Sequence, residues 1–251
     1  MDPADFPPCF RGEKTVKEIV PIILFPWIAG FTAFIGAVLA RLEHLPETLL
    51  KKEIIHGIVA FGGGILVAAV AFALVPHGIE ILSPFPLCFL FALGGLAFCL
   101  LDIVISRSGS SKAQFMAMLT DFIPEAIALG SVFAHDPKLG LLLALFIAAQ
   151  NLPEGFNAFR ELRENTGRSA LIFCQMFFIS FLGPAAALTG FFLLQPYPGI
   201  TAGIMVFAAG GILYLVFQDI APQAKLRRHW LPPLGAVFGF IVGMLGQKLI
   251  G

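Results

Sequence analysis

Eight runs of about 20 apolar residues follow one another along this chain, joined by short polar connections, and they leave few folds open. They fall near 19–42, 54–76, 85–105, 113–134, 139–159, 169–194, 200–220 and 231–250. A run of that length predicts a helix crossing a bilayer, because only a helix or a closed barrel satisfies every backbone polar group without water. Composition agrees. Of 251 residues, 58% are hydrophobic and 13% charged, with a mean hydropathy of +0.89, and a soluble domain of this length does not need so apolar a surface. The 27 Phe and 26 Gly suit lipid-facing surfaces and close helix packing. The fold class expected is an all-α polytopic membrane protein with eight transmembrane helices. It forms a single domain over 1–251, in which the charged, proline-bearing stretch 1–18 is an exposed N-terminal tail.

Zero net charge argues against a nucleic-acid partner. Cys9, Cys88, Cys99 and Cys174 show neither CxxC nor Cys/His spacing, which argues against disulfides and a Cys metal site, and the three in apolar runs read as small buried hydrophobes. The distribution of Lys and Arg sets the orientation. Eleven lie in the odd-numbered connections, and five lie in the termini and the even-numbered connections. The odd connections therefore belong in the cytoplasm and both termini outside. An internal repeat fits this arrangement. Gly63-Gly-Ile-Leu66 in the second run recurs as Gly210-Gly-Ile-Leu213 in the seventh, and both continue to a proline, Pro76 and Pro222. Runs two and seven have opposite orientations, as in the inverted repeats of secondary transporters. Runs one to three and six to eight would be the repeats, with four and five between them.

Those middle runs carry the chemistry. Asp121-Phe-Ile-Pro-Glu125 and Gln150-Asn-Leu-Pro-Glu154-Gly155 each place a polar residue and a glutamate four apart, on one helix face. In each, a proline precedes the glutamate and leaves a carbonyl without its helical donor, that of Thr120 or Ala149. Ionisable groups cost roughly 2.5–3.5 kcal/mol each in hydrocarbon on insertion scales and mark ion pathways when they occur. Asp121, Glu125, Gln150, Asn151 and Glu154 are the candidate metal ligands, because a divalent cation satisfies their oxygens and offsets their charge.

With these motifs the chain resembles the ZIP (ZRT/IRT-like) divalent metal transporters. Gln150-Asn-Leu-Pro-Glu-Gly155 matches the family's fifth-helix pattern in full, in a form seen in prokaryotic members, and the likeness extends over runs two and seven. The resemblance implies a 3+2+3 helix bundle with inverted outer repeats in a bacterial inner membrane. The cargo it implies is zinc or another divalent transition metal (Mn, Fe or Cd), with no resident cofactor. Asp121 stands where the fourth helix usually has His, Phe122 where Asn follows, and Ala126 where Gly follows. Gly183-Pro184 stands where bimetallic members carry a glutamate on helix six, and the usual His-rich loop is replaced by a short, His-free 106–114. The principal site thus carries over as Asp121, Glu125, Gln150 and Glu154, with Asn151 as a remnant of a second, and one metal is expected. An oxygen-only set favours harder ions than imidazole does, so zinc selectivity should be weaker than in His-containing relatives.

Four further residues are pathway candidates. His77 and Glu80, at the outer end of run two, line an external entrance or belong to a solvated loop. Asp219 and Gln223, four apart around Pro222, suggest an exit-side relay. Asp102 reads as an interfacial cap, and His44, His56, His135 and His229 as solvated. Glu161 and Glu164, within the Arg160–Arg168 cluster, read as a cytoplasmic face. No GxxxxGK[ST], HExxH or GxSxG occurs, which argues against ATP-driven transport and against an enzyme. The expected partners are a divalent metal ion and the lipid bilayer, and the Gly-rich helices permit a homodimer without requiring one. The remaining alternatives are a non-transporting metal sensor and a proton-coupled carrier of another cation.

Overall fold

The computed structural model describes residues 12–43, 48–107, 113–226 and 229–251; the side chains of 12–18, 105–107, 113–115, 117, 121, 165 and 166 lie outside that description. About 90% of the described residues are helical, and no strand occurs among them. Among the described residues, eight helical rods follow in order: α1 (Gly12–Leu42), α2 (Leu49–Ile81), α3 (Pro84–Arg107), α4 (Ala113–Phe133), α5 (Pro137–Thr166), α6 (Ser169–Leu194, interrupted by a turn at Ser180 and Phe181), α7 (Pro198–Ala224) and α8 (Leu234–Ile250). Among the described residues, six are long and apolar enough to cross a membrane: α1 from Ile19 onward, α2, α3, α5, α6 and α7. α8 is apolar but only 17 residues long. The exposed side chains include Phe85, Phe89, Leu96, Leu100, Phe178 and Leu193. With an apolar exterior and apolar rods, the chain reads as a membrane-embedded all-α bundle. Residues 12–18, expected in the tail, are helical and open α1; Pro3, Pro7 and Pro8 precede them, and Glu13, Lys14 and Lys17 are good helix formers. Residues 1–11 lie outside the described residues. Cys88 and Cys174 are exposed rather than buried, and Cys88, Cys99 and Cys174 are free thiols.

Local chemistry sets the ends. Thr48 caps α2 by accepting from Lys51 N at 3.3 Å. Asp136 caps α5 by accepting from Lys138 N and Leu139 N at 3.0 Å each, with Pro137 starting the helix. Gly167 ends α5 in the left-handed region at φ 64°, where a side chain would be strained.

Prolines explain the internal irregularities. Three rods widen into π turns, at Val70–Leu74, Gly190–Leu194 and Val216–Ile220. Each turn ends two residues before a proline: Pro76, Pro196 and Pro222. A proline cannot donate to the carbonyl four residues back and its ring crowds that carbonyl. In all three cases that carbonyl (Phe72, Phe192 or Gln218) is the centre of the π turn, so widening relieves the clash. This lets α2 and α7 continue past the points, 76 and 220, where the apolar pattern predicts an end.

The rods pair through glycine. α1 packs on α5, α2 on α8, α3 on α7, and α4 on α6. Gly36 and Gly155 sit against the carbonyls of Leu152 and Ala33, and Gly130 and Gly190 against those of Ala187 and Ile127. Gly64 and Gly239 meet Ala236 and Phe61 in the same way, and Gly94 and Gly210 meet Phe207 and Phe91. Backbones approach this closely only where no Cβ intervenes. The contacts advance together: Ala29 with Asn151 and Ala33 with Gly155, Leu90 with Gly203 and Phe98 with Gly211. The paired rods therefore run parallel.

Between pairs, α4 and α7 share a buried hydrogen bond of 2.6 Å between the Ser131 and Thr201 hydroxyls, each 2% exposed. Ser131→Ala is expected to destabilise the protein by about 1–3 kcal/mol, because it orphans the Thr201 hydroxyl, whereas Ser131→Ala/Thr201→Val should cost far less. A double-mutant cycle read by SDS-induced unfolding checks this; additive losses would mean that the two hydroxyls do not act as a pair.

Candidate functional site

α4 and α5 meet at Glu125 and Gln150. Glu125 is 3% exposed and Gln150 0% exposed, and Gln150 Nε2 donates to Glu125 Oε2 at 2.7 Å. The next residue points to the other neighbour. Asn151, 2% exposed, donates from Nδ2 to the Ala29 carbonyl of α1 at 2.9 Å. The same carbonyl accepts from Thr32 Oγ1 at 2.7 Å, and Thr32 Oγ1 also lies 2.8 Å from the Ala148 carbonyl of α5. Thr32 and Asn151 thus fasten α1 to α5 within a turn of Pro153.

These contacts fix both amides. A carboxylate and a carbonyl only accept, so the NH2 group of each amide must face its partner and the oxygen must face away. Gln150 Oε1 and Asn151 Oδ1 are buried and have no hydrogen-bond partner among the described residues. A buried acceptor without a donor costs about 1–3 kcal/mol. A cation, or a water that brings one, satisfies it.

Glu154 lies one turn beyond Gln150 on α5. It lines, with Pro153, a cavity of about 550 Å³. The wall runs from there toward the rod ends that carry the odd-numbered connections. It includes His56 of α2, Asp102 of α3, Thr120 of α4, Asn157, Arg160, Glu161 and Glu164 of α5, and Asp219 and Gln223 of α7. Tyr214 Oη donates to Asp102 Oδ2 at 3.0 Å, and His56 Nδ1 bonds the Gln223 carbonyl.

The predicted residues therefore divide. Glu125 and Gln150 are in direct contact, and Asn151 is held on α1. Glu154, Asp219 and Gln223 share the cavity. The Asp121 backbone lies on α4, but its side chain lies outside the described residues. His77, half-buried, and Glu80, exposed, sit at the far end of α2 and do not line this cavity. Among the described residues, no three His, Cys, Asp or Glu side chains form a group able to hold a metal. The buried Phe122 ring lies against both Gly30 of α1 and Gly183 of α6.

Sequence reasoning set aside several cavity residues. His56 is half-buried on the cavity wall rather than solvated, and His229 pairs with Glu53 at 2.9 Å. Asp102 faces the cavity rather than capping α3, and Glu161 and Glu164 line it as well. One signal was available: Glu154, Asn157, Glu161 and Glu164 follow the 3,4,3 spacing of a single helix face. No protein-family model matches this chain, and no curated protein matches it.

Proposed function

We propose that the chain carries a divalent metal cation across a bacterial inner membrane through the carboxylate–amide site between α4 and α5, in a ZIP-like bundle of eight spans. The observation that carries this reading is the pair of buried amide oxygens, Gln150 Oε1 and Asn151 Oδ1, whose NH2 groups are committed elsewhere. One of them lies beside a buried carboxylate, and an acidic cavity begins one turn away. Such an array needs positive charge and has a route along which it can arrive or leave.

Packing supports the inverted-repeat part of the reading. Exchanging α1 with α6, α2 with α7, α3 with α8 and α4 with α5 turns the α1–α5 contact into α6–α4, and α2–α8 into α7–α3; all four contacts occur. The π turns of α2 and α7, each before its proline, are related by the same exchange. Repeats of this kind hold substrate near the midplane and alternate its access. With the odd connections in the cytoplasm, the cavity faces inward and both termini lie outside. Phe98 is the one aromatic side chain on the described cavity wall, apart from the imidazole of His56. An organic cation would call for an aromatic cage, so a metal ion fits better.

Zinc or another divalent transition metal is the cargo, held without imidazole at the centre and hence with little zinc preference over Mn²⁺. Uptake into proteoliposomes of Zn²⁺, Mn²⁺, Fe²⁺, Cd²⁺ and Mg²⁺ is the test. Saturable uptake is expected, and Asp121→His should shift it toward Zn²⁺. Binding without uptake of any ion would overturn transport in favour of sensing.

A further inference from the structure

We propose that His56 and Asp219 form a second cation site at the mouth of the cavity, one that takes a borderline divalent ion such as Zn²⁺ through an imidazole nitrogen and a carboxylate. It lies on the proposed transport route, yet metal binding there does not require transport. The orientation of His56 carries the inference. Its Nδ1 meets the Gln223 carbonyl, and because a carbonyl only accepts, Nδ1 holds the proton and Nε2 holds the free lone pair. Metal-binding histidines are typically prepared in this way, with the distal nitrogen tied to a carbonyl and the other left basic. His56 lines the cavity.

Asp219 is the carboxylate that the proposal joins to it. It lines the same cavity and stands about one turn before Gln223, the residue that fixes the ring. It also belongs to the π turn Val216–Ile220 before Pro222, and π turns are frequent at functional sites. Asp102, also on the cavity wall, is engaged by the Tyr214 hydroxyl. With no three His, Cys, Asp or Glu grouped for a metal among the described residues, water completes the coordination, as suits an ion in transit. Imidazole here supplies the transition-metal preference that the oxygen donors at the centre do not.

The test uses the purified full chain carrying Glu125→Gln/Glu154→Gln, so that central binding is disabled, with ¹⁵N-labelled histidine and Zn²⁺ as the probe. His56→Asn separates the roles of the ring, since Asn Nδ2 stands where Nδ1 stood and still donates to Gln223, while Nε2 is gone. One histidine ring-nitrogen resonance, absent from His56→Asn, should move on Zn²⁺ addition. Calorimetric affinity should fall about tenfold or more in both His56→Asn and Asp219→Asn, as expected for loss of a metal ligand. Unchanged Zn²⁺ affinity in His56→Asn, or a moving resonance that belongs to another histidine, would overturn the site. Either result leaves the uptake experiment untouched, so failure of this site and failure of transport are told apart.

Discussion

Replacing both glutamates, Glu125→Ala/Glu154→Ala, is expected to abolish saturable metal uptake. In the proposed site each carboxylate offers a charged oxygen to the ion, and a charge-assisted contact contributes about 1.5–3 kcal/mol. Losing two removes about 3–6 kcal/mol, or roughly two to four orders of magnitude in affinity. The Ala change at 125 has a second effect. Gln150, 0% exposed, loses the carboxylate that holds its Nε2, and an orphaned buried donor costs about 1–3 kcal/mol of stability. Glu125→Gln/Glu154→Gln avoids most of that cost, because a Gln oxygen at 125 still accepts from Gln150. The two double variants should therefore differ in thermal stability but agree in failing to transport. Saturable uptake that persists in the Gln pair would sink the site assignment, since that variant keeps shape and hydrogen bonding and loses only charge.

The central pair was legible because its signal is local. Spacing of i and i+4 puts Gln150 and Glu154 on one face and Asp121 and Glu125 on another, and facing middle helices bring Glu125 to Gln150. The attachment of Asn151 was not legible. Its partner is the backbone carbonyl of Ala29, and every residue carries a carbonyl, so side-chain pattern does not mark which one is approached. The lengths of α2 and α7 were misjudged for a related reason. Proline reads as a stop, yet a π turn two residues earlier absorbs the clash and the helix runs on to Ile81 and Ala224. His56 was set aside because no ligand stands near it in sequence; its neighbours come from α7. The glycines were visible as composition, but which pairs of them touch is a property of the packed bundle.

That packing sets up a stability contrast between two glycines. Gly155→Ala should destabilise the bundle by about 1–3 kcal/mol, the cost of forcing extra volume into a closed contact, although Ala is the better helix former by about 1 kcal/mol. A Cβ at 155 would run into the Ala33 carbonyl, and that atom belongs to a backbone held on both sides. Thr32 reaches the Ala148 carbonyl and Asn151 reaches Ala29, so α1 cannot withdraw from α5 without breaking buried hydrogen bonds. The site feels the same displacement: Glu154 precedes residue 155, and Asn151 lies one turn back, so metal affinity should fall along with stability. Gly57→Ala is the matched control. It sits within α2, and a Cβ there meets nothing within 4 Å, so only the propensity gain remains and stability should hold or rise by up to about 1 kcal/mol. SDS-unfolding midpoints for the two variants decide the matter. If Gly155→Ala is as stable as Gly57→Ala, α1 and α5 do not touch through their backbones, and the α1–α5 pairing that holds the amide side of the site is wrong.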